Sequence, residues 1–515
     1  MKKLPIGIQS FKTIREENYY YVDKTPFIKL LEESGKFFFL SRPRRFGKSL
    51  FLDMLKEAFS GNRELFKGLY LYENWDWNKR HPVIKISFGK GVYRTSEELL
   101  LKILEEFLDI QKEEGITLEK TTLTGRFEEA IKKLAEKYRE KVVVLIDEYD
   151  KPILDRIEEI EIARENREIL KDFYSLLKDA EPYLKLVFIT GVSRFSKVSI
   201  FSGLNQLNDI TIDRRFATIC GYNQNELETV FSDRLEGVDL EEVKRWYNGY
   251  SWLGEPVYNP FDILLFFDKK DFRPYWFETG TPTFLMKLIL KNRFYLPKLE
   301  AIRAGEELLS SLDVDYLALE NLLFQTGYLT IKGVKVLAGR TYYVLSYPNY
   351  EVRVSFSNFF LNDFLPEVSE KEETQIGIVE ALEEENLEKL KENLYSFFAS
   401  IPAEWYRKNE IEKYEGFYAS VVYALFNGSG LNTITEDAGS KGRIDLTVIH
   451  RDRVFALEFK VVEREAEGRA LQQIKERRYF EKYLGRYEGI YLIGIEFSKE
   501  KRNIVGFEWE CLCKS

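Results

Sequence analysis

Apolar residues in the first part of this chain follow two spacings that alternate. Phe37-Phe38-Phe39-Leu40, Val142-Val143-Val144-Leu145-Ile146 and Leu186-Val187-Phe188-Ile189 are unbroken apolar runs, the pattern of strands buried on both faces in a parallel sheet. Val83-Ile84-Lys85-Ile86-Ser87-Phe88 predicts a further strand. Residues 97–114 and 125–140 place apolar side chains at three- and four-residue intervals with charged outer faces, which predicts amphipathic helices. Alternation of the two kinds of element predicts an α/β domain. From Asn223, which opens a capped helix, to about residue 268 the pattern is largely helical, with an aromatic turn Trp246-Tyr247-Asn248-Gly249-Tyr250. Glu278-Thr279-Gly280-Thr281-Pro282 and residues 324–330 punctuate a mixed stretch with a small β element, and its aromatic residues are expected in the core. The charged stretch Glu367 to Glu373 predicts a boundary. Residues 378–398 predict one connecting helix whose Glu383-Glu384-Glu385 run faces solvent. Alternation of period two then appears in Ile444-Asp445-Leu446-Thr447-Val448-Ile449 and in Val454–Val461, around the turn His450-Arg451-Asp452-Arg453, and predicts a β-hairpin. The division expected is 1–221, 222–370 and 371–515.

The first strand leads into Ser41-Arg42-Pro43-Arg44-Arg45-Phe46-Gly47-Lys48-Ser49 and a helix-like Leu50-Phe51-Leu52-Asp53-Met54-Leu55. Strand, loop and helix in this order form a phosphate-binding P-loop, in which backbone N–H groups at a helix N-terminus face phosphate oxygens. The backbone of Arg44, Arg45, Phe46 and Gly47 would form the cradle, Lys48 would reach the β and γ oxygens, and the Ser49 hydroxyl would hold Mg²⁺. The general motif has Gly where this chain has Arg42. A second strand ends in Asp147-Glu148 and a third in Thr190-Gly191. Carboxylates at the C-terminal ends of such strands sit where open α/β sheets bind ligands. Asp147 would complete the Mg²⁺ shell, Glu148 would polarise the attacking water, and Thr190 would sense the γ-phosphate. Tyr19 to Phe27 either lies over the base or forms an edge strand and a capped helix.

A length of 515 residues fits about three domains, and 44% apolar with 31% charged residues is an ordinary globular composition. The N-terminus lacks a signal-peptide pattern and no apolar run reaches membrane-spanning length, so a cytoplasmic protein without membrane association is expected. Two histidines and three cysteines narrow the chemistry. His81 and His450 fall at a strand entry and a polar turn, and Cys511 with Cys513 lacks the second pair that a structural zinc site needs. Histidine-based nucleophilic catalysis is not expected. The net charge of −9 argues against a uniformly basic coat and leaves room for a local basic cleft.

In the hairpin, alternation puts Glu458 and Lys460 on one face of the second strand and Asp445 with Thr447 on one face of the first. Asp445 beside Glu458 would bind Mg²⁺, with Lys460 one strand step away, a set suited to metal-activated attack of water on phosphodiesters. An exposed ion pair would give the same short pattern.

With these residues assembled, the chain resembles the prokaryotic AAA-ATPase-like proteins that carry a C-terminal PD-(D/E)xK nuclease domain. The resemblance rests on Tyr21-Val22-Asp23-Lys24-Thr25, the run Arg42 to Ser49, Ile146-Asp147-Glu148-Tyr149-Asp150, Phe201-Ser202-Gly203-Leu204-Asn205, Tyr258-Asn259-Pro260, Tyr347 to Val352, Gly442-Arg443-Ile444-Asp445 and Glu458-Phe459-Lys460. Arg in place of the first P-loop glycine is usual in that family. The resemblance implies a P-loop NTPase core with a parallel sheet, a helical lid region and a C-terminal restriction-endonuclease-like α/β domain. It implies ATP and Mg²⁺ as cofactors and nucleic acid, DNA foremost, as partner. It also implies Glu415 on a helix before the nuclease motif and Gln473 and Tyr479 on one after it. Homo-oligomers of this broad class complete the site with a neighbour's arginine, for which Arg194, Arg214 and Arg215 are nearest in sequence. Two functions follow: an ATP-driven nuclease with Glu148, Asp445, Glu458 and Lys460 as catalytic residues, or a nucleotide-dependent switch whose nuclease fold docks nucleic acid or a partner without cutting.

Overall fold

The computed structural model describes the chain apart from residues 196–199, 280–284, 286, 290, 291, 293, 307, 308, 310–317, 363–367, 402–414, 440, 441 and 513–515. Gly280, Thr281, Pro282, Glu367 and Cys513, named above, lie outside the described residues. Contacts divide the chain into two compact units, 1–280 with 303–349 and 281–302 with 350–515.

In the first unit, β1 (Phe37–Ser41), β2 (Val83–Ser87), β3 (Val142–Asp147), β4 (Leu184–Gly191) and β5 (Asn208–Asp209) form a parallel sheet in the order β2-β3-β4-β1-β5. Every residue of β1 and β3 is buried, which explains runs without polar interruption. Each buried Val, Leu, Ile or Phe there stabilises by about 1.5–3 kcal/mol. Register brings the strand ends level: Ser87 pairs with Asp147, Leu40 with Thr190 and Ser41 with Gly191. All the polar strand tips therefore collect at one sheet edge.

The flanking helices begin where the sequence supplies caps. Thr95 accepts from Glu98 N–H before the helix Ser96–Glu114, and Thr122 from Gly125 N–H before Leu123–Tyr138. Phe107, Phe127 and Phe173 lock these helices to Ile160–Asp179, with Phe127 stacked on Phe173 at 4.8 Å. Asn223 and Glu226 form a capping box at Gln224–Val230, and Glu226 also pairs with the buried Lys24. That helix packs with Leu240–Tyr247 and Pro260–Lys269 around Tyr20, Val22, Phe231 and Phe267. A hairpin of β7 (Thr330–Leu337) and β8 (Arg340–Ser346) belongs to a small sheet ordered β6-β8-β7, in which β6 spans Ile302–Gly305.

The second unit centres on β9 (Asn432–Gly439), β10 (Gly442–His450), β11 (Arg453–Val462), β12 (Gly489–Ser498) and β13 (Ile504–Cys511), ordered β13-β12-β11-β10-β9. β11 and β12 are parallel, joined through the helix Arg469–Arg477, and the other pairs are antiparallel. The single connecting helix expected over 378–398 is two helices, Val368–Glu383 and Leu387–Ser400. They turn at Glu385, which adopts φ 55°. The acidic run there is exposed, as expected, and it also carries ion pairs. Glu383 pairs with Arg451, and Glu385 with Arg453 and the Tyr491 hydroxyl, so the turn grips the strand pairs behind it.

Candidate nucleotide cleft and candidate nuclease site

At the C-terminal edge of the parallel sheet lies a cleft of about 560 Å³ lined by Gly47, Lys48, Ser49 and Glu148. Gly47 caps the helix Lys48–Phe59 at φ 92°, a conformation that a side chain would strain. Arg45 is also left-handed (φ 68°), and its guanidinium lies 4.8 Å from the Phe261 ring centroid. Phe46 turns away from the cleft to meet Tyr250 and Trp252 edge-on. The Lys48 ammonium is buried and donates to the carbonyl oxygens of Arg42 and Pro43, each at 2.9 Å. Burial lowers its pKa against the opposing charges of Asp147 and Glu148.

Asp147 is buried at the end of β3 and accepts a 2.8 Å hydrogen bond from the Thr190 hydroxyl. Thr190 is itself buried, and neither it nor Asp147 is among the residues lining the cleft. Glu148, at φ 52°, leaves the strand and lines the cleft, and burial raises its pKa while Lys48 opposes. Asp150, which strand periodicity did not single out, accepts from the backbone N–H groups of Val192 and Ser193 and from the Ser193 hydroxyl. It ties the ends of β3 and β4 together.

The far wall of the cleft comes from Pro5, Ile8, Gln9 and Ile14 and from Tyr222, Pro260, Phe261 and Leu264. Tyr19 to Phe27 is instead pinned elsewhere and forms no edge strand. Asp23 accepts from Thr25 and Tyr70, the Tyr21 hydroxyl donates to Met54, and Lys24 is paired as above. Residues 5–14 carried no periodic signal to mark them. Arg194 forms an ion pair with Asp209, and its N–H donates to Gln325. Arg215 pairs with Asp213, and Arg214 is exposed.

In the second unit the hairpin brings together the residues of the expected nuclease pattern. Leu446 pairs with Leu457, so Asp445 and Glu458 follow as opposed neighbours, and the Phe459 N–H donates to Asp445 at 2.9 Å. Glu458 is 1% exposed. One of its oxygens accepts from Gln473, on the helix Arg469–Arg477, and lies 3.5 Å from Lys460 Nζ. The other is buried without a hydrogen bond of ordinary geometry among the described residues. Burial raises the pKa of both carboxyl groups, and the charge of Asp445 raises that of Glu458 further. Glu415 opens the helix Glu415–Gly428 and lies 3.7 Å from Lys460. Gly442, at φ 143°, leaves the room that the Tyr479 ring fills, since an added Cβ would meet it at 2.5 Å. Glu496 on β12, which the sequence did not mark, accepts the N–H groups of Glu467, Gly468, Arg469 and Ala470 and so seats the helix that carries Gln473. Among the described residues no three His, Cys, Asp or Glu side chains gather for a metal. Two carboxylates, one of them with a buried oxygen that lacks a hydrogen bond of ordinary geometry among the described residues, suit Mg²⁺, which keeps several of its waters.

Among the described residues no helix is long and apolar enough to cross a membrane. Residues 5–201 match the family described as predicted AAA-ATPase, and residues 413–507 match the PD-(D/E)XK nuclease superfamily. Over 512 residues the chain is 49% identical to a protein of Azotobacter chroococcum mcd 1 described as an uncharacterized protein in the vnfD 5' region, covering 99% of each chain. The chain belongs to the family of AAA-ATPase-like proteins with a C-terminal PD-(D/E)XK nuclease superfamily domain.

Proposed function

We propose that the protein binds and hydrolyses ATP in the cleft of its first unit and cleaves phosphodiester bonds of nucleic acid, DNA foremost, at the hairpin of its second. The observation that carries the second half is Glu458: a carboxylate buried beside Asp445, with one oxygen lacking a hydrogen bond of ordinary geometry among the described residues, has its pKa raised by burial and by the Asp445 charge, both of which a bound metal cation would offset. Asp445 and Glu458 would hold Mg²⁺, which when bound neutralises phosphate charge and acidifies water. Gln473 fixes the rotamer of Glu458, and the Lys460 ammonium supplies a positive charge beside it for the scissile phosphate.

In the first unit Lys48 exchanges its loop carbonyls for the β and γ phosphate oxygens, and the loop N–H groups hold the phosphate chain. Ser49 and Asp147 would hold Mg²⁺ there, and Glu148 accepts a proton from the attacking water. The apolar wall of Ile8, Pro260, Phe261 and Leu264 suits the base. The test is ATP titration and phosphate release with purified protein, alongside incubation with linear, circular and single-stranded DNA and RNA. Lys48→Ala is expected to lose binding, and Glu148→Gln to keep ATP and slow its hydrolysis. Binding unchanged in Lys48→Ala, or nucleic acid bound and never cut, would overturn the corresponding half.

A further inference from the structure

Arg42 stands where the general P-loop motif has glycine, yet the position is not conformationally special. The left-handed residues of the loop are Arg45 and Gly47, and Arg42 is not among the positive-φ residues. Arg42 is instead 0% exposed. Its Nη1 donates to the carbonyl oxygens of Ser41 and Thr211 at 2.8 Å each, and its Nη2 to that of Phe216 at 3.2 Å. The guanidinium lies 4.0 Å from the centroid of the Trp252 ring. Among the described residues no carboxylate pairs with it, so a buried charge is held by carbonyl dipoles and an aromatic face.

The backbone of the same residue belongs to the phosphate loop. Arg42 N–H donates to Gly191 at the end of β4 (3.2 Å), and its carbonyl oxygen is one of the two that seat Lys48. Trp252 also meets Phe46, near the other end of the loop, at 5.4 Å. A third tie comes from Trp276, whose indole N–H donates to the Arg44 carbonyl at 3.2 Å. Side chains more than 200 positions away thus hold the loop from its outer face.

We propose that Arg42 is a positioning residue for the phosphates. Clamped between Trp252 and the carbonyls of Thr211 and Phe216, it fixes the loop path that seats Lys48, so that installing the glycine of the general motif weakens triphosphate binding. The proposal rests on the nucleotide reading of the cleft. Glycine at 42 would strip the Thr211 and Phe216 carbonyls of their donor and leave a hole against Trp252. Lysine would keep the charge but not the fork that reaches both carbonyls.

The test titrates the full chain with Mg·ATP and, separately, with adenosine, which engages the base wall and not the phosphate loop. Arg42→Gly is expected to lower ATP affinity on the order of tenfold or more, with adenosine affinity unchanged, since small displacements of a binding group cost such factors. Arg42→Lys should fall between it and the wild type. Trp252→Leu, which keeps an apolar filler and removes the ring face, should lower ATP affinity in the same selective way. A parallel loss of ATP and adenosine affinity would assign Arg42 to general stability and overturn the proposal. If Arg42→Gly does not fold, Trp252→Leu decides: unchanged ATP affinity there overturns the clamp. Wild-type protein that fails to bind ATP would overturn the nucleotide reading itself, which is distinct from wild-type binding matched by Arg42→Gly and Trp252→Leu.

Discussion

The hydroxyl of Thr190 donates a 2.8 Å hydrogen bond to Oδ1 of Asp147, across the ends of two adjacent parallel strands. A hydroxyl has one proton to give, and here it goes to the carboxylate instead of a ligand. Thr190 therefore orients Asp147. Thr190→Val keeps the shape and removes the donor, so ATP turnover should fall about tenfold or more while ATP affinity changes little, as when an outer partner of a metal ligand is lost. Phosphate-release kinetics with a matched ATP titration check it. A fall in affinity with turnover intact would put the hydroxyl in contact with nucleotide.

The acidic pair of the hairpin makes metal-free stability depend on pH. Burial raises the pKa of Asp445 and Glu458, so between the ordinary carboxylate range and the raised values the folded state binds more protons than the unfolded state. Stability without metal must then fall as pH rises through that window. Glu458→Gln should flatten the slope and raise the melting temperature of metal-free protein near neutral pH, and Mg²⁺ should stabilise the wild type more at high pH than at low. Thermal melts across pH 5–9 with EDTA or with Mg²⁺, a range set to span the window, read both effects. A wild-type slope that survives in Glu458→Gln would assign it to other groups.

Glu496 should matter through the helix that it seats. Its carboxylate accepts four backbone N–H groups at the start of Arg469–Arg477, and glutamine would turn one acceptor into a donor facing donors. Glu496→Gln should cost about 1–3 kcal/mol of stability in denaturant unfolding. It should also loosen Gln473 and weaken cleavage through it. Undiminished stability would mean that the helix start finds other acceptors.

Legibility in the sequence followed the range of the contacts. The level strand tips Ser41, Asp147 and Thr190 were readable because unbroken apolar runs end at them, and the approach of Asp445 to Glu458 because a hairpin alternates with period two. The acidic run at Glu383 to Glu385 is legible as an exposed face, but its partners, Arg451, Arg453 and Tyr491, come from strands some 70 to 100 positions later and leave no local sign. Arg42 looked like a departure from a motif because Trp252 is invisible to any local window. The same holds for Glu496, which resembles any strand carboxylate until the helix start folds onto it. The cleft wall at residues 5–9 lacked a signal for another reason: irregular backbone has no period to detect, and the helix Phe11–Glu16 that carries Ile14 is too short to show one.

Cleavage separates an active nuclease from a docking module most directly. Purified protein, Asp445→Ala, Glu458→Ala and Lys460→Ala should each be incubated with linear and circular DNA, with Mg²⁺ or with EDTA, and nucleic-acid binding measured on the same preparations. The account predicts cutting by the wild type that chelation stops and that each substitution abolishes, with binding by Lys460→Ala largely retained. A metal-dependent nick of undiminished rate in Asp445→Ala and Glu458→Ala would contradict it.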